Sequence, residues 1–199
     1  MLSVTGLSLV RHGRMLCTLP DFSVRSGELC RVSGRNGIGK TTLLRTLAGL
    51  RPPASGQIIW RNSDAISRHY CGHQDALKDA MSVEENLRWA LELSGQAFEE
   101  KNLEAGMRDA GLLAQADTPV RQLSQGYRKR VALARLLLQP RPVWLLDEPF
   151  NALDQAGCMD LARWMKKHLE NGGCVLLSSH TDLPASLPEA QQIVLKPAC

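Results

Sequence analysis

The sequence predicts an α/β fold with a mixed sheet core and a largely helical insertion. Three observations carry this. A strand-like run, Glu28-Leu29-Cys30-Arg31-Val32, leads straight into a glycine-rich loop, and the loop leads into a helical pattern from Thr41 to Leu50. Two unbroken apolar runs, Val143-Trp144-Leu145-Leu146 and Cys174-Val175-Leu176-Leu177, flank a helical stretch over Gly157 to Glu170. Strands that are apolar throughout are buried on both faces, the condition of a parallel sheet covered by helices. From about Ser82 to Gln139, by contrast, strand signals are scarce.

Taken in order, Leu7-Ser8-Leu9-Val10 and the run from Leu16 to Val24 are short, partly alternating strand candidates, and Gly27 punctuates before the next strand. In the helix from Thr41 to Leu50, Leu43, Leu44, Leu47 and Leu50 share one face. Gly56-Gln57-Ile58-Ile59-Trp60 is a further strand. Ser82-Val83-Glu84-Glu85 starts a helix, with Ser82 as cap and Glu85 three residues on. Ile193-Val194-Leu195 reads as a last edge strand. The expected organisation is one domain over 1–199, with a helical subdomain at about 75–140 inserted in the α/β core, and no regulatory domain after the last strand.

The chain has 199 residues, 44% hydrophobic and 22% charged, which suits one globular domain and excludes a disordered chain. The formal charge is +4, and the arginines are scattered from Arg11 to Arg163 without a basic run. A nucleic-acid binder concentrates its charge, so no nucleic-acid partner is expected. The cysteines, Cys17, Cys30, Cys71, Cys158, Cys174 and Cys199, form no CxxC pair and mostly sit in apolar runs, the usage of a reducing compartment. The N-terminus lacks the basic and apolar regions of a signal peptide. No stretch approaches the roughly 18–20 apolar residues that span a bilayer. A role in a membrane process would therefore be played from the cytoplasmic face.

Gly34-Arg35-Asn36-Gly37-Ile38-Gly39-Lys40-Thr41 matches G-x-x-x-x-G-K-[ST]. Its glycines let backbone N–H groups converge on phosphate oxygens, and the following helix adds its positive end. Lys40 is expected to reach the β- and γ-phosphates of ATP, and the Thr41 hydroxyl to ligate Mg2+. The apolar run Val143-Trp144-Leu145-Leu146 ends in Asp147-Glu148-Pro149. Open α/β sheets place their ligands at the carboxyl ends of strands. Asp147 is therefore expected to hold magnesium, and Glu148 to act as general base on the attacking water.

Leu123-Ser124-Gln125-Gly126-Tyr127, followed by Arg128-Lys129-Arg130-Val131-Ala132-Leu133-Ala134-Arg135, resembles the signature of the ABC transporter ATP-binding subunits, usually LSGGQ. The resemblance covers nearly the whole chain and implies the fold of a P-loop NTPase ABC nucleotide-binding domain. It implies a homodimer in which Ser124 and Gly126 of one copy meet the γ-phosphate held by the other. Thr42 then sits near the α-phosphate. Gln74, in Gly72-His73-Gln74-Asp75, resembles the Q-loop glutamine that contacts magnesium and the attacking water. Asn151-Ala152-Leu153-Asp154 resembles the D-loop, and His180 the switch histidine that contacts the γ-phosphate. The chain departs from the pattern at Gln125 and Tyr127. It also lacks the usual aromatic that stacks on adenine, offering Arg11 or His12 instead.

Within that family the short length, Gly-His-Gln, Val-Ala-Leu-Ala-Arg and Leu-Leu-Asp-Glu-Pro-Phe-Asn-Ala-Leu-Asp look like the ATP-binding subunits of haem exporters in bacterial cytochrome c maturation. That resemblance implies integral membrane transporter subunits as partners, docking around Gln74 to Leu93, and hydrolysis coupled to release of haem-loaded chaperone. Direct haem binding is not expected: Cys71-Gly72-His73 overlaps the Q-loop, and C-x-x-C-H is absent. Two other readings stay open, the ATPase of another small exporter moving lipid or lipoprotein, and a soluble ABC ATPase outside transport.

Overall fold

A computed structural model describes residues 2–11, 14–60, 68–95 and 98–197. They fall into two compact units, one of Met1–His73, Arg141–Pro149 and Met165–Cys199, the other of Gln74–Pro140 and Phe150–Trp164. In chain order the strands of the first unit are β1 (Leu2–Arg11), β2 (Arg14–Thr18), β3 (Phe22–Val24), β4 (Leu29–Ser33), β5 (Ser55–Trp60), β6 (Arg68–Cys71), β7 (Val143–Asp147), β8 (Cys174–Ser178), β9 (Gln191–Val194) and β10 (Lys196–Pro197). The helices are α1 (Lys40–Leu47), α2 (Val83–Leu93), α3 (Glu100–Asp109), α4 (Gln125–Leu138) and α5 (Gln155–Glu170).

Among the described residues the first unit holds two sheets. In one, β1 pairs antiparallel with β2, β3 and β5, and β10 joins β2. The other is parallel throughout, in the order β6-β7-β8-β4-β9. The two central apolar runs, β7 and β8, are buried along all their length, as strands covered on both faces must be. Because all strands of this sheet point the same way, Ser33, Asp147 and Ser178 end β4, β7 and β8 at one common edge. The core joins Leu43, Leu44 and Leu47 of α1 to Val32, Leu145 and Leu176 of the parallel sheet and to Leu2, Val4 and Leu9 of β1. Each fully buried leucine contributes about 1.5–3 kcal/mol relative to exposure.

Three boundaries and one unexpected strand differ from the sequence reading. The helix α1 stops at Leu47, and Leu50 is 65% exposed rather than on the buried face. Gly49 takes φ 77°, with Gly49 N–H donating to the Thr46 carbonyl and Leu50 N–H to that of Arg45. This is the left-handed closure that ends helices at glycine. The run from Leu16 to Val24 splits into β2 and β3 around Pro20, which has no N–H for a ladder. The last edge strand of the parallel sheet is Gln191–Val194, and Leu195 is buried beyond it. The strand β6 escaped the reading because Arg68-His69-Tyr70-Cys71 looks polar, although His69 and Cys71 alternate inward.

In the first unit the Trp144 ring stacks on the His168 ring at 4.0 Å and 7°. Burial pushes the His168 imidazole below its ordinary pKa, against smaller opposing backbone hydrogen bonds at Cys174 and Pro142. The unfolded chain binds this proton near the usual value of about 6.5, whereas the folded chain resists it, so the contribution is intact above that value and is lost as pH falls through it. The wild type is therefore expected to lose more melting temperature between about pH 7.5 and about pH 5.5 than His168→Phe does. Equal losses in a pair of thermal melts would contradict this.

The second unit is helical. The Ser82 hydroxyl accepts the Glu85 N–H and the Glu85 carboxylate accepts the Ser82 N–H, the predicted capping box of α2. Asn86 is buried and pins the turn before α2, accepting from Lys78 N–H and donating to the carbonyls of Lys78, Met81 and Ser82. Leu87, Leu91, Leu103, Met107, Val131 and Leu133 are buried from α2, α3 and α4. Among the described residues no helix is long and apolar enough to cross a membrane.

Candidate nucleotide site

The loop from Gly34 to Gly39 joins β4 to α1 at the carboxyl edge of the parallel sheet. Gly39 caps α1 with φ 122°, a conformation that favours glycine, and no side chain caps the helix. The first-turn N–H groups of α1 are thus left for a ligand. Lys40 is buried, and its ammonium donates to the Gly34 carbonyl at 3.0 Å and the Arg35 carbonyl at 3.4 Å. The Thr41 hydroxyl donates to Asp147 Oδ2 at 2.7 Å. Asp147 Oδ1 accepts from the Ser178 hydroxyl at 2.8 Å, and the Ser178 oxygen accepts the Glu148 N–H at 3.0 Å.

Glu148 has φ 49°, a left-handed conformation uncommon for a residue with a side chain. Its carboxylate is 13% exposed, and Oε1 lies 3.1 Å from His180 Nε2, which is 47% exposed. The two atoms are close without an aligned hydrogen bond. A cavity of about 200 Å³ runs along this group. Of the sequence-predicted residues, Asn36, Gly37, Gly39, Lys40, Thr41, Thr42, Asp147, Glu148 and His180 line it. Gly34 and Arg35 enter through the carbonyls that hold Lys40. Ile38 turns its side chain into the hydrophobic core, and its N–H donates to the Arg35 carbonyl at 3.2 Å within the loop.

Three residues of this site went unread in the sequence. His73 and Leu16 line the cavity. Leu16 comes from β2 and brings an aliphatic side chain to the cavity wall. Of the residues expected to stack on a base, His12 lies outside the described residues, as does the side chain of Arg11. Cys199 lies outside them too. The third is Ser178, and a signal for it existed: two apolar runs of equal length, paired in parallel, set the polar residues that end them side by side.

The donor set fits a hard divalent cation. Thr41 and Asp147 offer a hydroxyl and a carboxylate 2.7 Å apart. Magnesium takes one or two protein oxygens and completes its shell with phosphate and water. Among the described residues no cluster of three or more His, Cys, Asp or Glu would make an all-protein metal cage.

Gln74, Ser124 and Gly126 belong to the second unit. Ser124 caps α4, its hydroxyl accepting the Tyr127 N–H at 3.3 Å. A Cβ on Gly126 would stand 3.0 Å from the Ala152 carbonyl oxygen, so a larger residue there needs that turn, where Ala152 has φ 66°, to give by a few tenths of an ångström. The segments around Gly126 and Ala152 are therefore packed backbone to backbone. Asp154 is occupied as a helix cap, accepting the Gly157 N–H at 2.7 Å. The residue after Gln74 is fastened to α4: Arg128 donates to Asp75 Oδ2 at 2.9 Å and to Asp79 Oδ1 at 2.7 Å, and Arg135 donates to the Asp75 carbonyl at 3.0 Å.

Residues 18–151 match the sequence profile of the ABC transporter family. The chain is 39% identical over 203 aligned positions to the cytochrome c biogenesis ATP-binding export protein CcmA of Vibrio cholerae, covering 98% of each chain. It is 44% identical over 187 positions to the protein of the same name from Rhodopseudomonas palustris, covering 92% of each. In structure it is similar to an ABC transporter ATP-binding protein from Pyrococcus furiosus, with a TM-score of 0.82, 25% identity, and 95% and 96% of the two chains covered.

Proposed function

The chain belongs to the ABC transporter family, in the branch of the cytochrome c biogenesis ATP-binding export proteins, and we propose that it drives a haem-handling complex in bacterial cytochrome c maturation. It is an ABC-type ATPase and binds nucleotide. In this reading the nucleotide is ATP with Mg2+, and the two units described above form one ABC ATPase domain. Two copies pair around two nucleotides and work on integral membrane subunits, with the ATPase held peripherally at the cytoplasmic face of the inner membrane. No nucleic acid takes part. Cys71 is buried and His73 lines the nucleotide cavity, which supports a subunit that does not itself hold haem.

One observation carries the ATP-hydrolysing reading: the acids at the end of β7 stand beside the phosphate loop, Asp147 bonded to Thr41 and Glu148 on the cavity wall. The N–H groups of Gly34, Arg35, Asn36, Gly37 and Gly39 cradle the phosphates, with Ile38 in the same loop donating its own N–H to the Arg35 carbonyl. Lys40 reaches the β- and γ-phosphates and Thr42 the α-phosphate. Thr41, Asp147 and Gln74 would hold magnesium, which when bound neutralises charge on the phosphate oxygens. Glu148 accepts a proton from water as its oxygen bonds to the γ-phosphorus and the bond to ADP breaks. His180 steadies the γ-phosphate. Ser124 and Gly126 of the second copy complete the contact from across the dimer, and its loss after hydrolysis lets the pair reopen. Positioning and charge stabilisation supply most of the rate in such transfers.

The test is a haem-peroxidase stain of membrane proteins from cells whose only copy carries Glu148→Gln. Covalent haem on c-type cytochromes is expected to disappear while the variant protein persists. Unchanged covalent haem, with no second copy of the gene, would reject cytochrome maturation and leave an ABC exporter of another substrate.

A further inference from the structure

Ser178 ends β8 and has no part in the roles given above. Its place follows from register. The strands β7 and β8 each run five buried residues, and their pairing sets Asp147 beside Ser178. The four residues before it are Cys174, Val175, Leu176 and Leu177, so burial alone would be served by another apolar side chain. Instead a fully buried hydroxyl stands there. Its proton goes to Asp147 Oδ1 at 2.8 Å, and its oxygen accepts the Glu148 main-chain N–H at 3.0 Å. One hydroxyl thus holds the carboxylate of one acid and the backbone of the next. Thr41 occupies the other oxygen of Asp147. Glu148 needs such a hold, because its φ of 49° is sparsely populated for a residue with a side chain. The neighbouring serine does something else: the Ser179 hydroxyl donates to the Thr181 carbonyl at 2.8 Å.

We propose that Ser178 is a positioning residue for ATP hydrolysis, fixing Asp147 and Glu148 relative to each other so that both carboxylates face the phosphate loop at once. This rests on the roles proposed above for those two acids. Without the hydroxyl, the Asp147 carboxylate can turn about its terminal bond, and the Glu148 amide loses its acceptor. The phosphates keep Lys40, whose ammonium is held by the Gly34 and Arg35 carbonyls and not by Ser178. The loss therefore falls on turnover and spares nucleotide capture.

The experiment compares the whole chain as wild type, Ser178→Ala and Ser178→Thr, with Glu148→Gln as control. Steady-state ATPase gives kcat and KM, and amide hydrogen exchange of the nucleotide-free protein reports the Glu148 N–H. For Ser178→Ala, kcat is expected to fall about 10–100-fold with KM within about twofold. The Glu148 amide is expected to exchange at least about tenfold faster while Leu145 and Leu146 stay protected. Ser178→Thr, which restores the hydroxyl, is expected to recover most of kcat; should its extra methyl prevent folding, the alanine variant decides alone. A kcat of Ser178→Ala within about twofold of wild type, a KM that rises in step with the loss, a failure of Ser178→Ala to fold, or a folded Ser178→Thr no better than alanine would each overturn the proposal. The control separates the two readings. If Glu148→Gln is as active as wild type, the role proposed for Glu148 fails whatever Ser178 does; if the control is inactive and Ser178→Ala is normal, only Ser178 is misassigned.

Discussion

Glu148→Gln is expected to lower ATP turnover about 10²–10⁴-fold while the protein still folds and still takes up ATP. The substitution is isosteric and keeps the main-chain N–H that bonds to Ser178. It also keeps a side chain of the same length on the cavity wall, beside His180. What it removes is a carboxylate on the cavity wall whose Oε1 accepts no aligned hydrogen bond, whereas both oxygens of Asp147 accept one. An amide nitrogen cannot accept that proton and an amide oxygen is a far weaker base, so the general-base contribution is lost in full. Phosphate release measures turnover, and a fluorescent nucleotide measures binding. If closure of the dimer depends on an intact γ-phosphate, the same variant should accumulate as a nucleotide-bound pair on gel filtration with ATP and magnesium. Turnover within about tenfold of wild type would remove Glu148 from the chemistry.

How far the sequence carries depended on whether a feature was local. The loop from Gly34 to Thr41 was legible because its chemistry is written in consecutive residues. The buried strands β7 and β8 were legible because an unbroken apolar run has few other uses. The capping box at Ser82 and Glu85 was legible at a fixed spacing of three. What escaped was either short or non-local. The strand β6 has only four residues, and its inward members include a histidine. Leu16 lines the cavity because β2 and the loop are brought together across the fold, and nothing in its neighbours announces that. Ser178 was visible as a letter, yet its function lies in a bond to a residue 31 positions away. The end of α1 shows the reverse error. The leucine periodicity ran on through Leu50, and the single residue Gly49 overrode it. Gln74, Ser124 and Gly126 lie in the second unit, where the geometry is a capped helix and a loop clamped by Arg128, and neither spells out a role.

Lys40→Ala is the other large effect, and it should differ in kind from the loss of Glu148. Lys40 lines the cavity, buried at the first turn of α1 and held by two loop carbonyls. Hydrogen bonds from an ammonium to phosphate contribute about 1.5–3 kcal/mol, so alanine should weaken ATP binding about 10–100-fold. The charge is also expected to stabilise the transferring γ-phosphoryl group, so kcat should fall with affinity, and kcat/KM should drop further than either alone. The variant strands the Gly34 and Arg35 carbonyls, and a lower melting temperature should accompany the kinetic loss. Lys40→Arg separates charge from shape. A guanidinium keeps the charge, but its planar fork is wider than an ammonium, and the loop closes on the side chain within 3.0 Å at Gly34. Arginine is therefore expected to restore stability better than activity. Equilibrium binding of labelled ATP, measured beside turnover for both variants, decides the matter. Affinity unchanged in Lys40→Ala would mean that the backbone N–H groups and the end of α1 hold the phosphates without it, and that the lysine acts on the transferring group alone.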